Sequence, residues 1–262
     1  YRANHTLRAE FVYSRASAKI KTSVGNQPVS FGYTYYIGRS AQLRYTYNGL
    51  GAAVDMEANP RFGRRVTFQY SRDWNLFING FEVNTNFGTL QEVYDRYYLH
   101  RLEADWREYF ALPGRHGLML RLNGGYIDRP VDSFFAFLGG GLFGNRGYPY
   151  FALQGSRLMH GTLAYRLPVF WNMDVAIGPV HFDKFFLGVF ADYSNAFDGE
   201  LDFGDFKKSA GVQLRLDTFS FYGFPTKLFF DAAYGFDEIA ANGTIYGKEW
   251  RYYFGVTFGY FD

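Results

Sequence analysis

The chain of 262 residues contains no cysteine. Disulfide bonds and thiol chemistry are therefore excluded. The absence of cysteine suits an exported protein but is as common in soluble proteins. The chain also lacks a large excess of either sign of charge: 27 Lys and Arg residues face 25 Asp and Glu residues, and the formal net charge is only +2. Such a chain provides no basic field for a polyanion, and we expect no nucleic acid among its partners.

Long apolar runs are absent as well. No stretch approaches the roughly 20 apolar residues that a membrane-spanning helix needs, and no segment has convincing helical periodicity. Strands that cross a bilayer need only about 9–11 residues each, in which lipid-facing and lumen-facing side chains alternate. The missing runs therefore exclude helical spans and leave strand spans open.

Aromatic residues and glycine are abundant instead. Tyrosine, phenylalanine and tryptophan make up 22% of the chain, with 23 Tyr and 30 Phe, and there are 30 glycines. Aromatic side chains form girdles at both bilayer interfaces of transmembrane β-barrels, and glycine fits turns and tight strand curvature. At this length one domain covering residues 1–262 is the simplest partition.

Alternation of apolar and polar residues with a period of two predicts strands along the whole chain. It is clearest in residues 249–261, and the residue pairs Asp198-Gly199 and Asn242-Gly243 are hairpin signals. About thirteen strands are predicted in total, at residues 5–14, 17–24, 29–38, 40–48, 50–57, 64–73, 96–110, 115–126, 157–170, 184–197, 206–220, 225–236 and 249–261.

The two faces of these strands differ in a way that favours a barrel. On residues 96–110, Arg101, Glu103, Asp105 and Arg107 share one face. Matched charges of both signs suit a lumen in which they pair across strands. The predicted fold class is therefore all-β, a transmembrane antiparallel up-and-down β-barrel; a soluble β-sandwich or propeller is the alternative.

A glycine-rich stretch at residues 137–148 ends in Arg146, Gly147 and Tyr148 and lies in a connection of about thirty residues. That length is well beyond an ordinary hairpin connection, which indicates an ordered loop. Five predicted strands follow the loop. Two of them carry further motifs, namely Tyr165-Arg166-Leu167-Pro168 and Phe190-Ala191-Asp192.

In these features the chain, mainly over residues 115–262, resembles the BamA-type superfamily of outer-membrane barrels. That superfamily includes outer-membrane assembly barrels, two-partner-secretion transporters and chloroplast import barrels. The resemblance implies a loop folded into the lumen with its Arg-Gly-Tyr motif held by the two strand motifs. This sequence has Ala164 where the family usually has Glu and Ser194 where it usually has Gly.

A guanidinium group inside a barrel needs a carboxylate and several acceptors, so we predict that Arg146 contacts the inward-facing Asp192. Gly147 would allow a sharp backbone turn, and Tyr148 would pack against the inner wall beside Phe190. Arg166, on the neighbouring strand, is a third partner of the motif. The alternative is that Arg-Gly-Tyr is an ordinary exposed turn.

The last strand carries a second motif. It resembles the pattern that targets barrels to the outer membrane, in which a polar residue, a glycine and two aromatic residues follow at fixed spacing; here these are Tyr253, Gly255, Phe258 and Tyr260. The alternative is simply a last amphipathic strand. The resemblance implies the outer membrane of a Gram-negative-type bacterium, with outer-membrane lipid and client or partner envelope proteins as partners.

The resemblance further implies sixteen strands. Because the chain opens at Tyr1 with neither a methionine nor a signal peptide, we expect upstream strands or a periplasmic domain to be missing, or strands to be overlooked in the first sixty residues. The implied function is insertion or export of proteins at the outer membrane, by sideways opening between the first and last strands. Alternatives are an anchoring or structural barrel within a larger envelope complex, and a small-solute channel.

Catalysis is not expected. Residues 139–144 satisfy the dinucleotide pattern Gly-x-Gly-x-x-Gly, but neither a buried parallel strand nor a helix flanks them. Ser156 lacks a nucleophile elbow. We expect no cofactor and no metal, since the histidines at positions 5, 100, 116, 160 and 181 show no ligand spacing.

Overall fold

The protein is described here by a computed structural model that covers residues 4–24, 27–51, 62–221 and 223–258. Its secondary structure is all-β, with short 3-10 turns at Pro113–Arg115 and Phe203–Asp205. The strands are β1 (Asn4–Val24), β2 (Gln27–Asn48), β3 (Gly63–Asn84), β4 (Thr89–Ala111), β5 (Gly117–Ile127), β6 (Phe137–Leu138), β7 (Gln154–Gly155), β8 (Arg157–Phe170), β9 (Val175–Ile177), β10 (Val180–Phe197), β11 (Lys207–Ser220), β12 (Phe224–Gly235), β13 (Ile239–Ala241), β14 (Thr244–Tyr246) and β15 (Trp250–Phe258).

Ten of these strands form one antiparallel up-and-down sheet in the order β1-β2-β3-β4-β5-β8-β10-β11-β12-β15, and β9 pairs with one end of β10. Strands β6 and β7 pair with each other, as do β13 and β14. The last two are joined by Asn242 and Gly243, both with positive φ, at 51° and 74°. The hairpin predicted from this dipeptide is confirmed, because a type I′ turn needs that conformation at both positions.

The predicted number of thirteen strands is wrong. Residues 5–14 and 17–24 belong to the single strand β1, and residues 29–38 and 40–48 to the single strand β2. A bulge at Ala16 and Ser17 and a glycine at position 38 break the alternation while backbone pairing continues. Residues 74–84 and 89–95, which also lie in strands, were not predicted. The predicted strand 50–57 falls mostly on residues outside the described part of the chain.

The predicted division into two faces is confirmed. Along β10, Leu187, Val189 and Tyr193 are exposed whereas Phe190 and Asp192, which alternate with them, are buried. Strand β15 alternates exposed and half-buried residues along its whole length. The face that carries Asp192 is called the inner face below.

The core lies between the inner face and the connection from β5 to β8, residues 128–156, called the inner loop below. One buried cluster joins Leu99 and Ile127 of the sheet to Phe135 and Phe137 of this loop. Apolar burial at the inner face therefore holds the loop against the sheet.

Strands β1 and β15 lie at the two ends of the sheet path. Within the described residues neither end strand pairs with the other. Of the predicted fold, the all-β antiparallel up-and-down sheet is therefore confirmed, and closure into a barrel stays a prediction. No helical segment in the described ranges is both long enough and apolar enough to span a bilayer.

Candidate functional site on the inner face

The inner loop folds on itself before it meets the sheet. The backbone N–H of Asn145 donates to the carbonyl of Gly139 at 2.8 Å, and that of Gly139 donates to Leu153 at 2.8 Å. A Cβ on Gly144 would lie 2.2 Å from the Gly139 carbonyl oxygen, so only glycine fits this close approach. The loop is thereby a compact unit that presents Arg146 at its turn.

Arg146 makes the predicted contact with Asp192. Its Nε and Nη2 atoms donate to the two carboxylate oxygens at 2.9 Å and 2.8 Å, a bidentate pair, and its backbone N–H adds a third donor at 3.3 Å. Arg146 is 7% exposed and Asp192 is 2% exposed. The alternative of an ordinary exposed turn is therefore wrong.

Other groups complete the surroundings of this ion pair. The Cζ atom of Arg146 lies 3.2 Å from the centroid of the Phe190 ring, so the guanidinium group stacks on the aromatic face. Thr162 donates a hydrogen bond to Asp192 at 2.8 Å, and the His160 ring lies within hydrogen-bond distance of Thr162 at 2.8 Å. The Asp192 carboxylate therefore accepts hydrogen bonds from a guanidinium group, a backbone N–H and a hydroxyl group.

A second carboxylate, Asp231 on β12, also binds Arg146. The Nη1 atom of Arg146 donates to it at 3.2 Å, and Arg215 on β11 pairs with the same carboxylate. Asp231 was not predicted as part of the site. It supplies a second negative charge beside Arg146, on an inner face where the buried Ala164 carries none.

Gly147 is required for a different reason from the one predicted. It does not have positive φ. A Cβ at this position would instead lie 2.5 Å from Cβ of Ser209 and 2.8 Å from Cα of Gly235. The glycine therefore allows the loop to lie directly on strands β11 and β12.

Tyr148 is fully buried, with its hydroxyl group at the end of the sheet beyond β12. The hydroxyl lies 2.9 Å from the carbonyl oxygen of Asp237 and 3.1 Å from that of Lys208, and it accepts from the backbone N–H of Asp237 at 2.9 Å. Tyr148 contacts the inner wall, as predicted, where its Cζ atom would lie 3.2 Å from a Cβ on Gly235. Phe190 stacks on Arg146.

Two further residues fix the loop, and neither was predicted to do so. Asn145 donates to the carbonyl of Lys207 at 2.9 Å and accepts from the Ser209 hydroxyl at 2.6 Å. Tyr253 of β15 donates to the carbonyl oxygen of Arg146 at 3.0 Å. A residue predicted as part of the targeting motif therefore belongs to the loop site.

The remaining predicted residues lie at varying distances from the loop motif. Arg166 lines the same inner cavity as Arg146. Gly255 accommodates the Phe229 ring, which a Cβ would meet at 2.3 Å. Phe258 is exposed on the opposite face. Tyr260 lies outside the described residues.

In the loop motif, Arg146 and Tyr148 have pKa values that differ from their ordinary ones. Burial works against the charge on Arg146, but hydrogen bonds and attraction from Asp192 and Asp231 together raise its pKa above the ordinary value. Burial raises the pKa of Tyr148 to about 12. Arg146 is therefore a fixed cation and Tyr148 a neutral donor across the physiological pH range.

The contacts of this site hold the inner loop against the strands of the sheet. Within the described residues no cluster of three or more His, Cys, Asp or Glu side chains could hold a metal ion. A scan against protein-family models found no match, and a search of curated proteins found no similar one.

Proposed function

We propose that this chain forms the wall of an integral outer-membrane β-barrel. The support lies in the two faces of the sheet, since Val189, Leu163 and Val212 are exposed on one face while paired charges occupy the other. Arg121 and Asp105, on neighbouring strands, lie 2.7 Å apart on the inner face. Alternation of this kind suits strands between lipid and a polar lumen.

We further propose that the barrel acts in insertion or export of other proteins at the outer membrane, without catalysis. The observation that carries this proposal is the anchoring of Arg146 by Asp192 and Asp231, with Tyr253 of the last described strand on its carbonyl. Of these contacts, the one between Arg146 and Asp192 is the contact that the resemblance to assembly and translocation barrels implies.

A passive solute channel is less well supported. The inner loop contacts the wall at several separate strands, through Arg101 to Phe135, Arg121 to Phe143 and Asn145 to Lys207. A loop held at so many points obstructs the interior that a channel needs to keep open.

An anchoring or structural barrel is the second candidate. The same dense contacts favour it, because they tie the loop to β4, β5, β10, β11, β12 and β15 and stiffen that part of the wall. An assembly barrel must open at a strand edge to accept a client strand. An anchor needs no such opening.

The test is depletion of the protein in its host bacterium, followed by complementation with wild type or with Arg146→Ala. We expect depletion to lower the amount of folded barrels in the outer membrane, measured by their heat-dependent shift on gels, and the variant to restore it poorly. Unchanged amounts of folded barrels on depletion would contradict the assembly function and favour the anchor.

A further inference from the structure

Three arginines lie close together on the outer face, which is the face of the sheet opposite to the inner face. Arg39 on β2 pairs in register with Trp74 on β3, and Trp74 pairs with Tyr98 on β4. Residues directly opposite each other in an antiparallel sheet share one face, and both aromatic side chains are exposed. Arg72 and Arg96 lie two residues before Trp74 and Tyr98, so alternation places them on the same face.

Within the described part of the chain, no carboxylate forms an ion pair with any of these three arginines. Asp128 accepts a hydrogen bond from the backbone N–H of His100, which is opposite Arg72, but Asp128 pairs with Arg129. Arg72 places its Cζ atom 5.9 Å from the centroid of the Trp74 ring, and the other two arginines are exposed. The three positive charges are therefore open to an anion from outside the chain.

An apolar groove of about 560 Å³ adjoins the arginines on the same face. Tyr70, two residues from Arg72, lines it together with Leu43 and Leu102, which flank Tyr70 in register. Gly124 keeps the groove deep, since a Cβ there would meet a single neighbouring atom, at 3.7 Å. The volume is in the range of roughly 300–1,000 Å³ that is typical of ligand pockets, and the apolar lining suits an alkyl chain.

We propose that this area binds a membrane lipid with an anionic phosphate headgroup. Arg39 and Arg72 are diagonal neighbours on adjacent strands, about 7–8 Å apart, so their long side chains can reach one phosphate. Guanidinium groups match phosphate in charge and in hydrogen-bond geometry. An acyl chain of the same lipid lies in the groove, which begins two residues further along the strand.

The aromatic residues among the arginines support this placement. Trp74 and Tyr98 are of the two residue types that are enriched where a bilayer meets water, which is the level of the lipid headgroups. The proposal rests on the proposed membrane location of the outer face but not on the role in protein insertion. It adds the class of lipid that this face selects.

The experiment titrates lipid into the full chain purified in detergent and counts the bound lipids by native mass spectrometry. Dioleoylphosphatidylglycerol is the probe. Dioleoylphosphatidylcholine, which has the same acyl chains but a headgroup cation beside its phosphate, is the comparison lipid. We expect the first lipid site to bind the anionic lipid at least about fivefold more tightly, since one arginine near anionic lipid typically contributes about that factor.

The test variant combines Arg39→Gln with Arg72→Gln. Neither side chain has an ion pair to lose, so the sheet should fold normally, which the heat-dependent shift on gels checks. We expect the affinity for the anionic lipid to fall about twentyfold, because two factors of about fivefold are lost. The preference over the comparison lipid should disappear with it.

Arg64→Gln is the matched control. Arg64 lies on the same strand and the same face as Arg72, but near the opposite end of the strand, where it pairs with Glu108. It should leave the affinity for both lipids unchanged.

Gly124→Leu tests the groove separately from the charges. The added side chain occupies the groove, so we expect the affinity for both lipids to fall by a similar factor of at least about fivefold, because buried CH₂ groups of the acyl chain are displaced. The preference for the anionic lipid should remain.

Equal affinity of the wild type for the two lipids would overturn the proposal and leave the membrane location intact. Binding of neither lipid would contradict both. Unchanged affinity in the double arginine variant or in Gly124→Leu would also overturn the proposal, as would an equal loss in Arg64→Gln.

Discussion

At the scale of single residues the buried ion pair of Arg146 determines how firmly the loop is held. Removing the guanidinium group leaves Asp192 and Asp231 buried with fewer partners. Asp231 keeps its ion pair with Arg215, whereas Asp192 loses the cation that pairs with it. The energetic cost of such a change comes mainly from the charge left behind, because an unpaired carboxylate away from water is strongly disfavoured.

We expect Arg146→Ala to lower the free energy of unfolding by about 3–5 kcal/mol. Unfolding of the detergent-solubilised protein in guanidinium chloride measures the change. Arg129→Ala is the control, since Arg129 pairs with Asp128 at 3.0 Å on an exposed part of the same loop and should cost no more than about 1 kcal/mol. Equal costs in the two variants would show that the inner pair does not hold the loop.

Gly147→Ala tests the close approach of the loop to the sheet. The added Cβ would meet the backbone of Gly235, which cannot move as a side chain can, so we expect a loss of about 1–3 kcal/mol. Gly80→Ala is the control, because a Cβ there meets nothing within 4 Å. A loss confined to Gly147→Ala in thermal unfolding supports the packing; similar values for both would refute it.

The raised pKa of Tyr148 predicts a stability change at high pH. Below its ordinary pKa near 10 the phenol is protonated in both folded and unfolded chains. Between pH 10 and about 12 only the unfolded chain ionises it, so folding stability falls as pH rises, by about 1 kcal/mol at pH 11. Tyr148→Phe should remove this part of the pH dependence in unfolding experiments; parallel pH profiles for both proteins would contradict the burial of the hydroxyl.

The sequence predicted part of this site. Asp192 could be found because alternation along its strand places it on the inner face and because it lies in a segment that resembles a motif of the BamA-type superfamily. Asp231 shares that face, but its distance from Arg146 depends on how the loop lies across two strands, which no local pattern contains. The role of Gly147 depends likewise on Gly235, a residue 88 positions away in the chain.

At the scale of elements, the strands differ in length far more than their sequences suggest. Strands β1 to β4 have 21 to 23 residues, which corresponds to about 70 Å of extended chain. A strand needs only about 9–11 residues to cross a bilayer, so in the proposed barrel the outer parts of these strands would need other partners. Phe81 supplies one such contact, with its ring 5.4 Å from Phe31 and 5.3 Å from Tyr33.

These outer parts explain why the strand count from the sequence was wrong. Alternation is strict only where one face meets a uniform apolar surface and the other a polar one. In the outer parts the strands still pair with their neighbours in the sheet, and a bulge between Ile78 and Gly80 shifts the register of β3 against β4. Backbone pairing continues there, but the side chains do not alternate between apolar and polar, so the sequence does not reveal the strand.

The pairing of β12 with β15 depends on a glycine opposite an aromatic ring. Gly255 pairs with Phe229, and the ring occupies the space that a Cβ at position 255 would take. We expect Gly255→Ala to cost about 1–3 kcal/mol in unfolding. In the double variant with Phe229→Ala the cost should be less than the sum of the two single changes, and additive costs would show that ring and glycine are independent.

At the scale of the whole molecule the question is what surrounds the outer face of the sheet. Large apolar side chains cover it along several strands, among them Leu163 at 49% exposed and Val189 at 52% exposed. An exposed apolar surface of such extent is typical of a site that contacts another apolar surface or phase, such as a protein partner or a membrane. The proposed outer-membrane barrel supplies lipid as that phase.

Because the chain lacks cysteine, single introduced cysteines can carry a nitroxide spin label without background. In protein reconstituted into lipid vesicles, labels at Leu163→Cys, Val189→Cys and Val212→Cys should collide with oxygen, which concentrates in the bilayer, and hardly with a water-soluble nickel chelate. A label at Phe87→Cys, in the turn between the long strands β3 and β4 and 79% exposed, should show the reverse preference. If the first three labels met the nickel chelate as readily as the Phe87→Cys label does, the outer face would lie in water, and the sheet would belong to the soluble β class that the sequence left as the alternative.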